Sequence, residues 1–513
     1  MLTEEAARVL VEQATLAELR LAMASGDATS RQLVLAYIAR IDAIDKRGPT
    51  LNAVVEINPD AVAIADDLDR ERNERGARGP LHGVPILLKD NIDTADRMET
   101  TAGSLALLGS KPARDAFVVE RLRAAGAVIL GKTNLSEWAN FRSIRSTSGW
   151  SARGGQTRNP HVLDRNPSGS SSGSAVAVAA SLATGAVGTE TDGSILSPSS
   201  VCGIVGVKPT VGLVSRSGII PIAHSQDSAG PMARTVADAA ELLGAMTGVD
   251  PRDAATAASD GVFHRDYGRF LDPNGLAGAR IGVVRAAAFR LGPKTRPVLE
   301  AAIAAMQKAG ARVTEVELPN AGRMNDTELE VLLYEFKTDL EVYLASRPGA
   351  RVRTLGELIA FNRANAQREM RFFGQELVER AEKKGPLSEQ AYTDALSANH
   401  ELGRSHGIDA AMDAAQLDAL VAITNGPAHL TDPVNGDSSA GGSTSPAAVA
   451  GYPSISVPAG DVHGLPIGLS FFGRAFSEPT LIRLAYAFER ATLARKPPTY
   501  KTTVELSVEI SET

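Results

Sequence analysis

The sequence predicts an α/β fold in which helices cover both faces of a central sheet. Three observations predict it. From residue 80 onward the chain repeats a strand–turn–helix pattern. The same pattern returns over 280–318 and again from 419. No stretch between them has the composition of a clean linker, and there is no internal repeat. Length alone would suggest about three domains, at roughly 150 residues each.

The elements follow in order. The first sixty residues read as helical, then extended. Ser30 is placed to cap a helix whose apolar face runs Leu33, Tyr37, Ile41 and Ile44. Residues 51–57 read as a strand. Residues 85–89 form a short apolar run that closes on a charge, 116–125 form an amphipathic helix, and 127–130 form a strand. Residues 166–231 are dense in Gly, Ser and Pro, yet they contain strand-like runs at 186–189 and 203–207. A flexible linker would not carry such runs, so this region reads as folded loops on a rigid sheet, where function concentrates. Ser172 or Ser174 suits the N-cap of the Ala-rich helix within it. Residues 280–318 read as strand–helix–strand. Residues 326–383 read as long helices, with Leu329, Leu332, Leu333, Phe336 and Leu340 as one apolar series. Strands at 419–423, 454–457 and 466–472 precede a closing helix from Glu478.

Composition excludes several function classes. With 53 Lys+Arg against 60 Asp+Glu, the net charge of −7 argues against a coat for nucleic acid or an anionic membrane. Aromatic residues at 4% are too few for base-stacking platforms. The single cysteine, Cys202, excludes an intramolecular disulfide framework and a Cys cluster for zinc or iron–sulfur. It lies in an apolar run with no histidine near it in sequence and reads as a core residue. The N-terminus has no basic segment followed by an apolar one. As written it predicts a cytoplasmic chain, or a secreted or periplasmic one if a leader was removed. The bland stretch 174–186 is too short to span a bilayer.

Common catalytic signatures are absent. The eight histidines include no HExxH and no pair at helical metal spacing, and there is no GxGxxG opening a helix, no phosphate loop and no SxxK. Residues 169–173 fit G-x-S-x-G, but that elbow needs a buried strand before it. Asp164, Arg165 and Pro167 cannot supply one. Two further sites are open on their residues alone. Around Ser194, small residues and a preceding glycine let backbone N–H groups converge as an oxyanion hole, or they form an ordinary turn. Lys89 is either a lysine whose charge reaches the surface or one that loses its proton in an apolar site and serves as a base.

Taken together, ordered blocks of the chain resemble the amidase signature superfamily. They are His82-Gly-Val-Pro-Ile-Leu-Leu-Lys-Asp-Asn91, Gly131-Lys-Thr-Asn-Leu-Ser-Glu-Trp138, the Gly/Ser run at 168–174, Gly188-Thr-Glu-Thr-Asp-Gly-Ser194, Cys202-Gly-Ile-Val-Gly-Val-Lys-Pro-Thr210, Gly230-Pro-Met-Ala-Arg-Thr-Val-Ala-Asp238 and Ala450-Gly-Tyr-Pro-Ser-Ile-Ser-Val-Pro458. The resemblance implies one domain over 1–513, with an N-terminal helical segment (1–60), a signature core (80–240) and a helical insertion (320–400). It also implies a mixed, mostly parallel twisted sheet. The family's Ser–cis-Ser–Lys triad falls on Ser194 as nucleophile, Ser170 as the bridging serine after a cis peptide, and Lys89 as base. The N–H groups of Thr191, Asp192, Gly193 and Ser194 would hold the oxyanion, with Ser171 in support. No metal or organic cofactor is implied.

Within the superfamily the chain most resembles bacterial peptide amidases, through residues 138–142, 149–160, 190–194 and 210–221. Glu190 and Asp192 replace the commoner Asp and Gly. Leu196 stands where many members carry Arg, which speaks against a glutamine-handling amidotransferase subunit. Asn140 and Asp192 are candidate acceptors for substrate N–H groups. The expected reaction converts a peptide C-terminal amide to acid and ammonia. The alternatives are a broad aryl or aliphatic amidase and a glutaminase subunit. Expected partners are a small or peptide amide substrate, with no nucleic acid and no membrane, on a monomer or homodimer.

Overall fold

The apolar runs of the sequence become strands. The computed structural model describes residues 3–285, 290–321, 323–438 and 441–505. Among them the strands are β1 (Val54–Ile57), β2 (Pro85–Lys89), β3 (Val128–Thr133), β4 (Trp150–Ser151), β5 (Gly155–Gln156), β6 (Gly185–Glu190), β7 (Val205–Lys208), β8 (Ser228–Ala233), β9 (Arg280–Val284), β10 (Arg312–Val316), β11 (Ala419–Ile423), β12 (Ser454–Val462) and β13 (Leu465–Phe472). β4 and β5 pair with each other. The other eleven form one sheet in the order β1-β3-β2-β6-β8-β7-β12-β13-β11-β9-β10. β2, β6, β7, β11 and β13 are buried throughout. A sheet covered on both faces requires this, and it explains runs that do not alternate.

The sheet is mixed, as expected, but it is not mostly parallel. β3, β2 and β6 run parallel at one end and β11, β9 and β10 at the other. The remaining six pairings of the large sheet are antiparallel. Connections decide this. β12 turns into β13 through His463 and Gly464 alone, at φ 53 and 78, a two-residue hairpin. Where a helix intervenes, as Phe117–Ala124 does between β2 and β3 or Arg296–Lys308 between β9 and β10, the next strand returns parallel.

The N-terminal part is helical (Glu4–Gln13, Leu16–Ala24, Ser30–Arg40) before β1 begins. Leu33, Tyr37 and Ile41 are buried as the pattern predicted. The cap is Thr29 rather than Ser30. Thr29 Oγ1 accepts from Gln32 N (3.2 Å), and Thr29 N donates to Gln32 Oε1 (3.0 Å), a reciprocal box that Ser30 cannot make one residue later. The Ser30 hydroxyl instead donates to Gly83 O at 2.8 Å.

Two cores position the site. The larger fills both faces of the sheet. The second joins Trp138 and Phe141 to Phe336, Leu340, Leu377 and Val378. It thereby seats the helices Asn325–Ser346 and Glu376–Glu382 against the loop after β3. The Phe141 and Phe336 rings meet edge-on at 4.9 Å. Among the described residues no helix is long and apolar enough to cross a membrane.

Candidate active site

The site is built at the ends of two parallel neighbours. Leu88 of β2 pairs with Val187 of β6, so Lys89 and Thr189 finish side by side. The carboxyl ends of parallel strands are where an α/β sheet leaves room for chemistry. Lys89 is fully buried. Its Nζ donates to Ser170 Oγ (2.8 Å), Thr189 Oγ1 (2.9 Å) and Thr189 O (3.1 Å), one acceptor for each ammonium proton. Burial pulls its pKa down to about 7, against the opposing pull of Asp227 and Glu190. Held there, an amine can exchange a proton with a serine hydroxyl near neutrality.

Ser170 follows a cis peptide bond from Gly169 and is itself fully buried. Its carbonyl accepts from Ser136 N at 3.1 Å. The Ala-rich helix starts immediately after, at Ser172–Ala179, and neither Ser172 nor Ser174 caps it. Ser172 Oγ donates back to Ser168 O, and Ser174 Oγ pairs with Thr133 Oγ1 at 2.7 Å. Ser171 occupies the cap position, but its hydroxyl is committed elsewhere. It donates to Thr189 O (3.0 Å) and accepts from Thr189 N (3.2 Å), while its N–H reaches Ser194 O at 3.0 Å. Ser171 therefore fastens the Ser170 turn to both β6 and the Ser194 loop.

The Ser194 loop is shaped from below by Glu190. Its carboxylate accepts from Ile195 N (2.7 Å) and Leu196 N (2.9 Å), at the start of the helix Leu196–Val201. Gly193 sits at φ 76, and a Cβ there would come within 2.8 Å of Ser197 Oγ and 3.0 Å of Thr444 Oγ1. Only glycine makes this turn without strain. The turn leaves the N–H groups of Thr191, Asp192, Gly193 and Ser194 without a partner among the described residues. Converging unpaired donors beside a hydroxyl are the elements of an oxyanion hole. No hydrogen bond joins the Ser170 and Ser194 hydroxyls. The two residues are linked through the backbone of Ser171. Such contacts commonly close only when substrate is bound.

The two candidate substrate acceptors stand differently. Asp192 is already engaged, accepting from Thr444 Oγ1 (2.7 Å) and Ser445 Oγ (2.6 Å). Asn140 lies at φ 71 and donates through Nδ2 to Ser148 Oγ (2.9 Å), while its Oδ1 is buried without a partner. Ser148 in turn borders Gly169, so Asn140 lies two contacts from the Ser170 turn. Thr444 and Ser445, which hold Asp192, also wall a cleft of about 430 Å³ together with Ser168, Asn425 and His429.

Sequence reasoning missed three residues here. Thr189 supplies two of the three acceptors around Lys89 Nζ. Asp227 accepts from Thr191 Oγ1, Ile222 N (2.8 Å) and Ala223 N (3.0 Å), and burial raises its carboxyl to about 6. Glu328 arrives from a remote helix and faces Asp192. Thr189 stood inside a matched block without a distinguishing feature, and the other two carry no local signal. Cys202 is buried, and burial pushes its thiol up, away from the reactive thiolate.

Comparison with known proteins places the chain in a family. The amidase family model matches residues 32–482. The native peptide amidase of Stenotrophomonas maltophilia superposes with a TM-score of 0.91 at 54% identity, covering 95% of this chain and 99% of that one. A probable amidase of Arabidopsis thaliana is 46% identical over 500 residues, 96% of this chain and 92% of that protein. A glutamyl-tRNA(Gln) amidotransferase subunit from Chloroflexus aurantiacus is 37% identical over 482 residues, 92% of this chain and 95% of that protein. The chain belongs to the amidase family and is an amide-hydrolysing enzyme.

Proposed function

We propose that this enzyme hydrolyses the C-terminal carboxamide of peptides, releasing ammonia, through an acyl-enzyme on Ser194. The observation that carries the chemistry is Lys89 Nζ, fully buried at 2.8 Å from Ser170 Oγ. Neutral Lys89 takes the Ser170 proton as Ser170 takes that of Ser194. The Ser194 oxygen bonds to the amide carbon, and the N–H groups of residues 191–194 hold the carbonyl oxygen as it gains charge. Ser170 then returns a proton to the departing nitrogen, the C–N bond breaks, and ammonia leaves. Water adds to the ester by the reverse relay and frees the carboxylic acid.

The peptide-amide substrate is supported by 54% identity to a peptide amidase across nearly the whole of both chains. The cleft walled by Thr444 and Ser445 carries neutral donors and acceptors, Ser168 and Asn425 among them, beside the charged Arg290 and Asp437, and neutral polar groups of this kind suit a peptide backbone. Asn140 Oδ1, buried and unpaired, is an acceptor available for a substrate N–H. Ammonia release from a dipeptide amide, set against aniline release from an anilide, tests this. The proposal expects the dipeptide amide to have the higher kcat/KM, and the reverse order assigns a broad aryl amidase.

The likeness to an amidotransferase component supports a second reading, a glutaminase. Leu196, buried and aliphatic at the start of the helix that follows Ser194, offers no charge to a glutamine carboxylate. Activity on peptide amides by the purified single chain removes that reading.

A further inference from the structure

The helix Asn325–Ser346 reaches the Ser194 loop through one side chain in its first turn, Glu328, and the contacts there are unusual. Glu328 is almost wholly buried. Its Oε1 accepts from Gln226 Nε2 at 2.9 Å, and the same Nε2 lies 3.3 Å from Thr191 O. The Asp192 carboxylate is the charged neighbour that acts on it. The Asp192 oxygens are in turn held by Thr444 Oγ1 and Ser445 Oγ. Residues 191 and 192, whose N–H groups belong to the candidate oxyanion hole, are thus anchored from three directions: the helix carrying Glu328, the loop carrying Gln226, and the start of the helix Ser445–Ala450.

A buried carboxyl beside a second carboxylate is disfavoured as the anion, and a proton shared between the two relieves the repulsion. Resting on the Ser194 reading above, we infer that Glu328 is a positioning residue, present as the neutral acid, which donates its proton to Asp192 and thereby fixes the oxyanion loop for the acylation transition state. Burial and the facing Asp192 charge both push the Glu328 carboxyl well above the usual range. The other charged groups at this cluster are Glu190 at the end of β6 and Lys208 at the end of β7, which interact with Asp192, and Asp227, which accepts from Thr191 Oγ1. Gln226, Thr444 and Ser445 contribute neutral dipoles. Lys208 Nζ spends its hydrogen bonds on the carbonyls of Tyr452 (2.8 Å) and Pro209 (3.4 Å), so it does not replace the shared proton.

A fixed loop matters most where charge develops. Removing the clamp therefore lowers kcat and leaves KM nearly unchanged. Glutamine is neutral, of the same length, and able both to accept from Gln226 and to donate to Asp192. It reproduces the protonated acid but cannot ionise.

The test is steady-state kinetics of wild type, Glu328→Ala and Glu328→Gln on a dipeptide amide across pH 6–10, with thermal melts to show that each variant is folded. The inference expects Glu328→Ala to lose about tenfold or more in kcat with KM little changed. Glu328→Gln restores kcat to within a few fold of wild type. Wild-type kcat falls on the alkaline side as Glu328 ionises, and that fall is missing from Glu328→Gln. An alanine variant with wild-type kcat, a glutamine variant as impaired as the alanine one, or coincident alkaline profiles for wild type and Glu328→Gln would each overturn it. A wild-type chain inert on every amide tested refutes the functional reading, whereas an active chain indifferent to residue 328 refutes this inference alone.

Discussion

At the scale of single residues, the site turns on which buried lysine touches a hydroxyl that can move a proton. Lys89, Lys132 and Lys208 are all fully buried. Burial lowers all three, Lys89 to about 7 and the other two to about 8. Lys208 points at carbonyls, and Lys132 at the carbonyl of Ile92 and the Thr100 hydroxyl (2.8 Å). Lys89 alone of the three reaches Ser170. If neutral Lys89 is the base, activity rises with pH through about 7, because the fraction lacking the extra proton grows there. A kcat/KM that rises into acid would contradict this. Lys89→Met is expected to cost at least about a hundredfold in kcat. Cys202 is expected to stay unmodified by iodoacetamide in the native enzyme, and Cys202→Ala to keep full activity, read by mass spectrometry and ammonia release. On their own residues Lys89 and Ser194 were open, and the candidate triad of Lys89, Ser170 and Ser194 came from the order of the blocks around them and their resemblance to a family. Glu328 was not legible, because a glutamate in the first turn of a helix looks the same whether it faces water or Asp192.

At the scale of elements, the turn around Ser194 depends on Gly193 at φ 76 and on Glu190 holding two N–H groups below it. Gly193→Ala adds both the left-handed penalty and a collision with Ser197 and Thr444. The variant is expected to lose about a hundredfold or more in kcat, as when one oxyanion donor is displaced, while its melting temperature falls only slightly. A variant with normal kcat would show that the loop does not need this turn. The strands were legible as short apolar runs, but their directions were not. A buried strand has the same composition whichever way its neighbours run, and direction is set by connections such as the two-residue turn at His463–Gly464. The cap at Thr29 was misassigned to Ser30 for a related reason. Both residues can cap, and only the reciprocal bond with Gln32 separates them.

At the scale of the whole molecule, one eleven-stranded sheet replaces the several domains that length suggested. The helices between 325 and 382 do not fold apart from it. They share a core with Trp138 and Phe141 and reach the Ser194 loop through Glu328, whose partner Gln226 also bonds Thr191 O. Phe336 is fully buried at that junction. Phe336→Ala is expected to lower unfolding stability by about 3–5 kcal/mol and, because the junction leads to the site, to lower kcat as well, measured by denaturant titration and ammonia release. An equal stability loss with unchanged kcat would show that the helices only cover the sheet. The central claim is that Ser194, served by Lys89 through Ser170, opens peptide C-terminal amides. It is tested most directly by ammonia release from a dipeptide amide with purified wild type beside Ser194→Ala. Turnover is expected from the wild type, with a loss of at least about a thousandfold in a folded Ser194→Ala. Comparable rates from the two proteins would contradict it.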